Sequence, residues 1–424
     1  MTKKILTLLS ASVLGSTVAL AGGYQVAIQS QRQIGMGHTG TGLANDASSI
    51  FFNPGALSFT KKNNVILGAS FINSGVAFRA PSTSTTTAKT ENPVSTPFNV
   101  YASFAAKEDS KLKFGLGVFT PYGSTVKWGD DWKGKYVLTQ LELRAIYVQP
   151  TVSYKINDKL GIGVGLDYVN GYVNLQKNIP LNTSDGDAKA ELDGKTNNFG
   201  FNVGVYYKPT DKLSVGLNYR SKVDAKVEGG DAKFTNVSSY LQNGVTFPKG
   251  GATKFDATLP LPQVATLGIG YQATEKLLLA FDVNWTGWSA YKELRFDYEA
   301  PVGGSTSTVS QRKYKDSFAF RVGGEYKVTD AFTARAGAYY DLSPVKEGYM
   351  TPETPDQDRL GLTAGVSYTF NDKFGVDASF LFIEGMEREQ KQSVVDSEGM
   401  SKDVLAGTYK LRAAIPGIGL HYKF

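Results

Sequence analysis

One pattern recurs six times along this 424-residue chain and governs what it can fold into. A short polar turn sits between stretches in which apolar residues alternate with small or polar ones. The turns are Glu108-Asp109-Ser110-Lys111, Asn157-Asp158-Lys159, Thr210-Asp211-Lys212, Thr274-Glu275-Lys276, Thr329-Asp330-Ala331 and Asn371-Asp372-Lys373. Asn and Asp favour such turns because they tolerate turn dihedrals and hydrogen-bond their own backbone. After the second turn, Leu160, Ile162, Val164, Leu166 and Tyr168 share one face, and Gly161, Gly163, Gly165 and Asp167 share the other. Phe199, Phe201, Val203, Val205 and Tyr207 oppose Gly200, Asn202 and Gly204 in the same way. A period of two is a strand signal, because successive side chains point to opposite faces.

The other ends of these strands run into longer segments rich in Gly, Ser, Thr and Pro, expected as loops at 81–97, 120–142, 229–253, 300–310 and 343–356. Short turns on one side and long loops on the other is the sidedness of an outer-membrane barrel. Six hairpins use twelve strands; one more precedes them near 63–79 and one follows near 403–424, which makes fourteen. The last strand places Ala414, Pro416, Ile418, Leu420, Tyr422 and Phe424 on one face. A terminal aromatic of this kind is what the outer-membrane assembly machinery reads, so Phe424 is expected to contact it. After residue 21 no apolar run approaches the roughly 18–20 residues of a membrane helix. A closed barrel instead pairs every backbone group in lipid without leaving an edge. The expected fold is therefore all-β: a 14-stranded antiparallel transmembrane β-barrel, monomeric, in the bacterial outer membrane.

Residues 1–21 read as a signal peptide. Lys3 and Lys4 precede an apolar stretch, and Ala19-Leu20-Ala21 has small residues where a signal peptidase cuts. Residues 63–424 are assigned to the barrel. Between them, 22–62 lacks alternation. It is small, polar and Gly-rich, yet carries Ile50-Phe51-Phe52. Forty compact residues ahead of a barrel suit an N-terminal plug, or hatch, inside the lumen. Gly35-Met36-Gly37 has neither the preceding strand nor the following GK[ST] of a phosphate loop.

Cysteine is absent and histidine occurs only at 38 and 421. That excludes disulfides and thiolate metal sites. No metal, no cofactor and no catalytic residues are expected. A lipase or acyltransferase would need a nucleophile beside a base, and only His38 and His421 could serve. The net charge of +6 falls to +4 (43 minus 39) without Lys3 and Lys4. It is spread along the chain, so no nucleic-acid partner is expected. By parity Lys315, Arg321, Arg335, Arg220, Asp167, Asp282 and Asp377 turn inward. Buried charges are usually paired. Arg321 and Arg335 therefore either pair with carboxylates in lumen networks or, with Lys315, meet an anionic ligand.

Several motifs in order then resemble one family, the FadL-type outer-membrane transporters of long-chain fatty acids, whose relatives take up aromatic hydrocarbons. They are Gly40-Thr41-Gly42-Leu43-Ala44-Asn45-Asp46-Ala47 leading to Asn53-Pro54, Asp130-Asp131-Trp132-Lys133-Gly134-Lys135-Tyr136, Tyr219-Arg220-Ser221, Gly250-Gly251-Ala252-Thr253, Tyr314-Lys315-Asp316 and Asp341-Leu342-Ser343-Pro344-Val345. The resemblance implies passive uptake of a hydrophobic molecule, most plainly a long-chain fatty acid. It implies a lumen pocket above the hatch, hatch movement at Asn53, Pro54 and Gly55, and lateral release into the membrane lipid. Release would pass a kink in the third strand, near 111–119, where Gly115 and Gly117 lie on the inner face. It implies that Lys315 sits near the ligand's polar head. Gly55 stands where the family usually has Ala. The 178–194 segment is expected as a short polar loop in place of a long capture loop; the segment carrying Trp132 and Tyr136 could substitute for it. A general porin or a structural barrel is the other reading of such a fold.

Overall fold

The computed structural model describes residues 22–424 apart from 82, 106, 108–109, 182–185 and 392–403. The expected signal peptide, 1–21, and the acidic pair of the first turn, Glu108-Asp109, lie outside the described residues. Fourteen antiparallel strands form the wall: β1 (Asn64–Ser70 continued by Asn73–Arg79), β2 (Phe98–Phe104), β3 (Leu112–Lys127), β4 (Gln140–Lys155), β5 (Leu160–Ile179), β6 (Ala188–Tyr207), β7 (Leu213–Arg220 and Val223–Thr235), β8 (Ala252–Leu261 and Val264–Gln272), β9 (Leu277–Thr286 and Glu293–Val302), β10 (Ser305–Gln311 and Ser317–Lys327), β11 (Phe332–Asp341), β12 (Arg359–Thr369), β13 (Phe374–Gly385, with Arg388–Gln390) and β14 (Gly407–Lys423). Each pairs with the next, and β14 closes on β1 through Asn64 opposite Lys423 to Ser70 opposite Gly417.

In the lower half of the wall the outward residues are those the alternation selects. Ile162, Val164, Leu166, Phe201, Val203, Leu279 and Phe281 are all exposed on the isolated chain. This is the apolar band that lipid covers. Tyr207, Tyr271, Tyr326 and Tyr368 ring its lower rim, where amphipathic rings suit the membrane interface.

Above the band the pattern inverts. On β7, Val223, Ala225 and Val227 are buried inside while Lys226 and Glu228 face out to solvent. On β9, Phe296 is buried between exposed Arg295 and Asp297. Here the outside is water and the inside is a ligand-sized space, so the same period of two carries opposite chemistry. The inversion corrects several expected loops. The 178–194 segment is mostly strand, because β5 runs to Ile179 and β6 starts at Ala188. Likewise 300–310 is a tight hairpin turning at Gly303 and Gly304, both with positive φ. β3 continues to Lys127, leaving only 128–139 as loop.

Inside the wall, residues 22–62 carry two short helices, α1 (Gln31–Gly35) and α2 (Ser49–Phe52), and a 3-10 turn from Pro54 to Phe59. Their hydrogen bonds reach strands all round the barrel. Gln31 meets Ser379 of β13 and Ser70 of β1. Arg32 meets Glu325 of β10 at 2.5 Å. The Gly37 N–H donates to Thr363 of β12 at 2.9 Å. The Gly40 and Thr41 N–H groups both donate to Asp282 of β9 at 3.0 Å. Gln149 of β4 donates to the Ile50 carbonyl at 2.8 Å. These contacts explain the inner-face glycines: a Cβ on Gly216, Gly323 or Gly337 would collide with hatch backbone.

Candidate functional site

An apolar cavity with about 840 Å³ of open space lies on the outer side of the hatch. Its walls are Leu141, Leu143 and Ala145 of β4, Val173 and Leu175 of β5, Ala225 and Val227 of β7, Leu259 and Leu261 of β8, and Leu294 and Phe296 of β9. These are the inverted-pattern residues, so the sequence above the lipid band builds the site.

Tyr24 of the hatch and Tyr291, between the two segments of β9, bring aromatic rings to the cavity, with further rings packed behind them. The Tyr24 hydroxyl donates to the Pro260 carbonyl, and the Tyr122 hydroxyl to the Pro262 carbonyl at 2.6 Å. Tyr24 meets Trp288 edge-on at 4.8 Å and Tyr291 at 5.7 Å, and Tyr291 meets Tyr314 at 5.0 Å. Burial pushes the Tyr24 and Tyr314 phenols well above their ordinary range, so both stay neutral.

The buried cation on this cavity is Arg312, only 2% exposed; Arg144 also lines it, half-buried over the Tyr172 ring at 5.4 Å. Arg312 bonds the Tyr291 hydroxyl at 3.2 Å, Ser310 at 2.7 Å and Glu353 at 3.3 Å. Lys315, favoured from sequence, is exposed, lines none of the described cavities and donates its backbone N–H to Pro344. Parity fails there because regular pairing lapses between Gln311 and Ser317 and Lys313 has φ 43°. The strand resumes with Ser317, Ala319, Arg321 and Glu325 inward as expected.

A second, more polar cavity of about 560 Å³ lies between hatch and wall, lined by His38, Arg220, Asp282, Asn284 and Arg321 among others. Arg321 bonds Asn284 at 2.8 Å and covers the Tyr339 ring at 4.9 Å. Arg220 forks onto Asp167 at 2.6 and 2.7 Å and stacks on Phe51, Phe119 and Tyr147. Arg335 lies toward the opposite end of the lumen. It binds Glu325 at 2.7 Å and, with Ser367 and His421, surrounds Asp377. Arg335 therefore belongs to a paired network, and His421 is held in it.

Trp132 is also outside the apolar cavity. It stacks on Trp128 at 4.2 Å, packs on Phe78, and donates to the Leu138 carbonyl. Tyr136 is 41% exposed and bonds Asp187. The two do not converge on one surface: Trp132 packs between Trp128 and Phe78, and Tyr136 faces solvent.

In the hatch, Asn53 is fully buried. Its amide donates to the Thr41 and Val205 carbonyls at 2.9 and 3.0 Å and its oxygen caps the Gly55 N–H. A Cβ on Gly55 would sit 2.7 Å from the Gly204 carbonyl oxygen and 2.9 Å from that of Gly161. Glycine at 55 thus lets Pro54-Gly55 press directly on β5 and β6.

Gly115 and Gly117 face inward, packed against Ile50, but they sit in a regular ladder with Ser103 and Tyr101. The departure of β3 lies farther on. Pairing with β2 ends at Val118. Against β4 the register slips between Phe119 and Tyr122, an extra residue that contains Pro121. From there β3 turns inward and bonds the hatch: the Val26 N–H donates to the Pro121 carbonyl, and the Gly123 N–H to that of Tyr24. A bulge bends its strand and breaks the ladder locally. Beyond this point no ladder joins β2 and β3 among the described residues, until Lys127 bonds Glu91 and Asn92 ahead of β2.

A lipid-facing barrel whose lumen is filled by its own N-terminal segment, with an apolar cavity above that filling, defines an outer-membrane transport protein of the plugged type. The chain matches, over residues 12–424, the family described as "Outer membrane protein transport protein (OMPP1/FadL/TodX)", and it belongs to that family. It is 26% identical over 413 residues to the long-chain fatty acid transport protein of Salmonella typhi, covering 93% of this chain and 94% of the relative. It is 26% identical over 447 residues to a 47 kDa outer membrane protein of Pasteurella multocida, covering 100% and 98%. Among solved structures, a Pseudomonas aeruginosa FadL homologue superposes with TM-score 0.83 at 21% identity, covering 95% of this chain and 100% of the other. The Pseudomonas putida toluene transporter TodX superposes with TM-score 0.72 at 18% identity, covering 96% and 100%. The protein is a multi-pass outer-membrane transporter and not an enzyme.

Proposed function

We propose that the protein takes up long-chain fatty acids by passive transfer. The molecule binds in the apolar cavity, the hatch shifts, and the ligand leaves sideways between β2 and β3 into membrane lipid. The observation that carries this is a buried guanidinium, Arg312, on a largely apolar wall. Apolar contact supplies most of the affinity, and a planar fork orients a carboxylate. The S. typhi relative's name supports fatty acids as the ligand. Uncharged aromatic hydrocarbons are a second reading, favoured by Glu353, which already neutralises Arg312. Lateral release is supported by the bulge at Pro121, and hatch movement by the polar, Gly-lined contacts that hold 22–62 in place.

The test is Arg312→Gln, which keeps a donor to Glu353 and removes the charge. A charge-assisted hydrogen bond contributes about 1.5–3 kcal/mol, so oleate binding measured by fluorescence displacement should weaken roughly tenfold or more. Binding of an uncharged hydrocarbon should stay within about twofold. Equal losses for both ligands would show that Arg312 shapes the cavity without reading a carboxylate.

A further inference from the structure

We propose that the barrel wall carries a second opening, between β8 and β9, through which uncharged apolar molecules reach the cavity from the outer rim of the membrane. This rests on the cavity reading above and adds the route in. The ladder between these strands has a gap. Phe255, Asp256 and Ala257 pair with Tyr298, Asp297 and Phe296. Bonding resumes only where the Gly287 N–H donates to the Gln263 carbonyl at 2.9 Å, next to Val264 opposite Thr286. Between them β8 reads Leu259-Pro260-Leu261-Pro262. Pro260 and Pro262 have no N–H to offer a neighbour. Their carbonyls are taken by Tyr24 and Tyr122 from inside the barrel. Facing them, β9 is interrupted by a 3-10 turn, Trp288–Ala290, which turns Trp288 inward.

Open space borders the gap on both sides. An outer cleft of about 960 Å³ lies over it, reaching from Ala290 and Lys292 across to Lys226 and Pro260. Val227, Ala257 and Thr258 line both this cleft and the apolar cavity. Thr258 is an exposed residue on the outward face, so only the thickness of one backbone separates the cleft from the cavity here. β8 continues from Pro260 to Gln272 at the short-turn end. At about 3.3 Å per residue and a tilt near 40° the gap stands roughly 30 Å above that end, just over a lipid band of about 25 Å. A molecule dissolved in the outermost polar layer can therefore reach it without crossing bulk water.

The rim selects by charge. It carries five carboxylates, among them Asp224, Glu228 and Asp256, against three cations, Lys226, Lys292 and Arg295. Arg295 is already clamped on Asp297 at 2.7 Å. A net negative rim slows an anion and leaves a neutral hydrocarbon unaffected.

The test closes the gap. Continuing the register past Ala257–Phe296 sets Thr258 opposite Arg295, and the chain has no other cysteine. In oxidised Thr258→Cys/Arg295→Cys protein, the association rate of toluene with the cavity should fall at least tenfold and recover on reduction. Its equilibrium affinity should differ less than twofold between the oxidised and reduced forms of this variant, because the cross-link slows both directions together. Oleate association should fall less than threefold. Thr258→Trp, an exposed change that needs no cross-link, should slow toluene similarly. An unchanged toluene rate in both variants overturns the opening, and equal tenfold losses for toluene and oleate overturn the charge selection. If neither ligand binds the reduced protein at all, the cavity reading falls and this inference with it.

Discussion

Oxidised Ile50→Cys/Gly117→Cys protein is expected to take up less than a tenth of the fatty acid that its reduced form does, while binding ligand in the cavity equally well. Ile50 is fully buried in the hatch, and a Cβ on Gly117 would lie 3.0 Å from its Cγ2 methyl. The two Cβ atoms would then fall within reach of the roughly 3.5–4.5 Å that a disulfide needs. The cross-link ties α2 to the straight part of β3. If the hatch must shift before a ligand can pass, that tie stops passage after binding. Uptake by cells in oxidising and reducing medium, with oleate binding to the same purified protein, separates the two steps. Full uptake in the oxidised protein would mean that transfer proceeds past a stationary hatch.

Deleting Pro121 should have a comparable effect on uptake, tenfold or more, with oleate binding in the cavity kept within about twofold. The deletion removes the one extra residue that shifts β3 against β4 between Phe119–Tyr147 and Tyr122–Ala145. β3 can then run on beside β2 beyond Val118 and pair the stretch where the wall is now open. The N-terminal strand-like contact of Gln25 with Tyr122 would be lost with it, so thermal unfolding of the hatch is measured alongside. Uptake that survives in a folded variant would place the exit somewhere other than between β2 and β3.

Much of the wall was legible in the sequence because lipid imposes a simple rule. Wherever a strand crosses the apolar band, one face must be apolar, and Leu160 to Tyr168 or Phe199 to Tyr207 could be read directly. The rule reverses above the band. Ala188, Ala190 and Leu192 are inward and buried, yet their outward partners are Lys189 and Glu191, so the stretch read as a polar loop. The cavity is built from reversed stretches of the same kind on β4, β5, β7, β8 and β9, and it went unseen for the same reason. Arg312, the buried cation on the cavity, was passed over for Lys315, which was chosen on the family resemblance and on parity carried through an interruption of β10. The kink was placed at Gly115 and Gly117, which instead make room for Ile50. The stronger signal was Pro121 inside an otherwise extended run, as a proline in a strand marks an edge or a bulge. Leu259-Pro260-Leu261-Pro262 carried the same signal on β8. The inner-face glycines were visible but unexplained until the hatch backbone was found against them.

The central claim is that an apolar molecule occupies the cavity above a filled lumen. Native mass spectrometry of the protein in a mild detergent, after incubation with oleate and with toluene, tests it most directly when paired with current recordings in planar bilayers. The account predicts one retained ligand per chain, lost in a Leu143→Trp/Ala257→Trp variant that fills the cavity, and no steady ion current from the wild type. A wild-type chain that holds no apolar ligand and conducts ions continuously would contradict it.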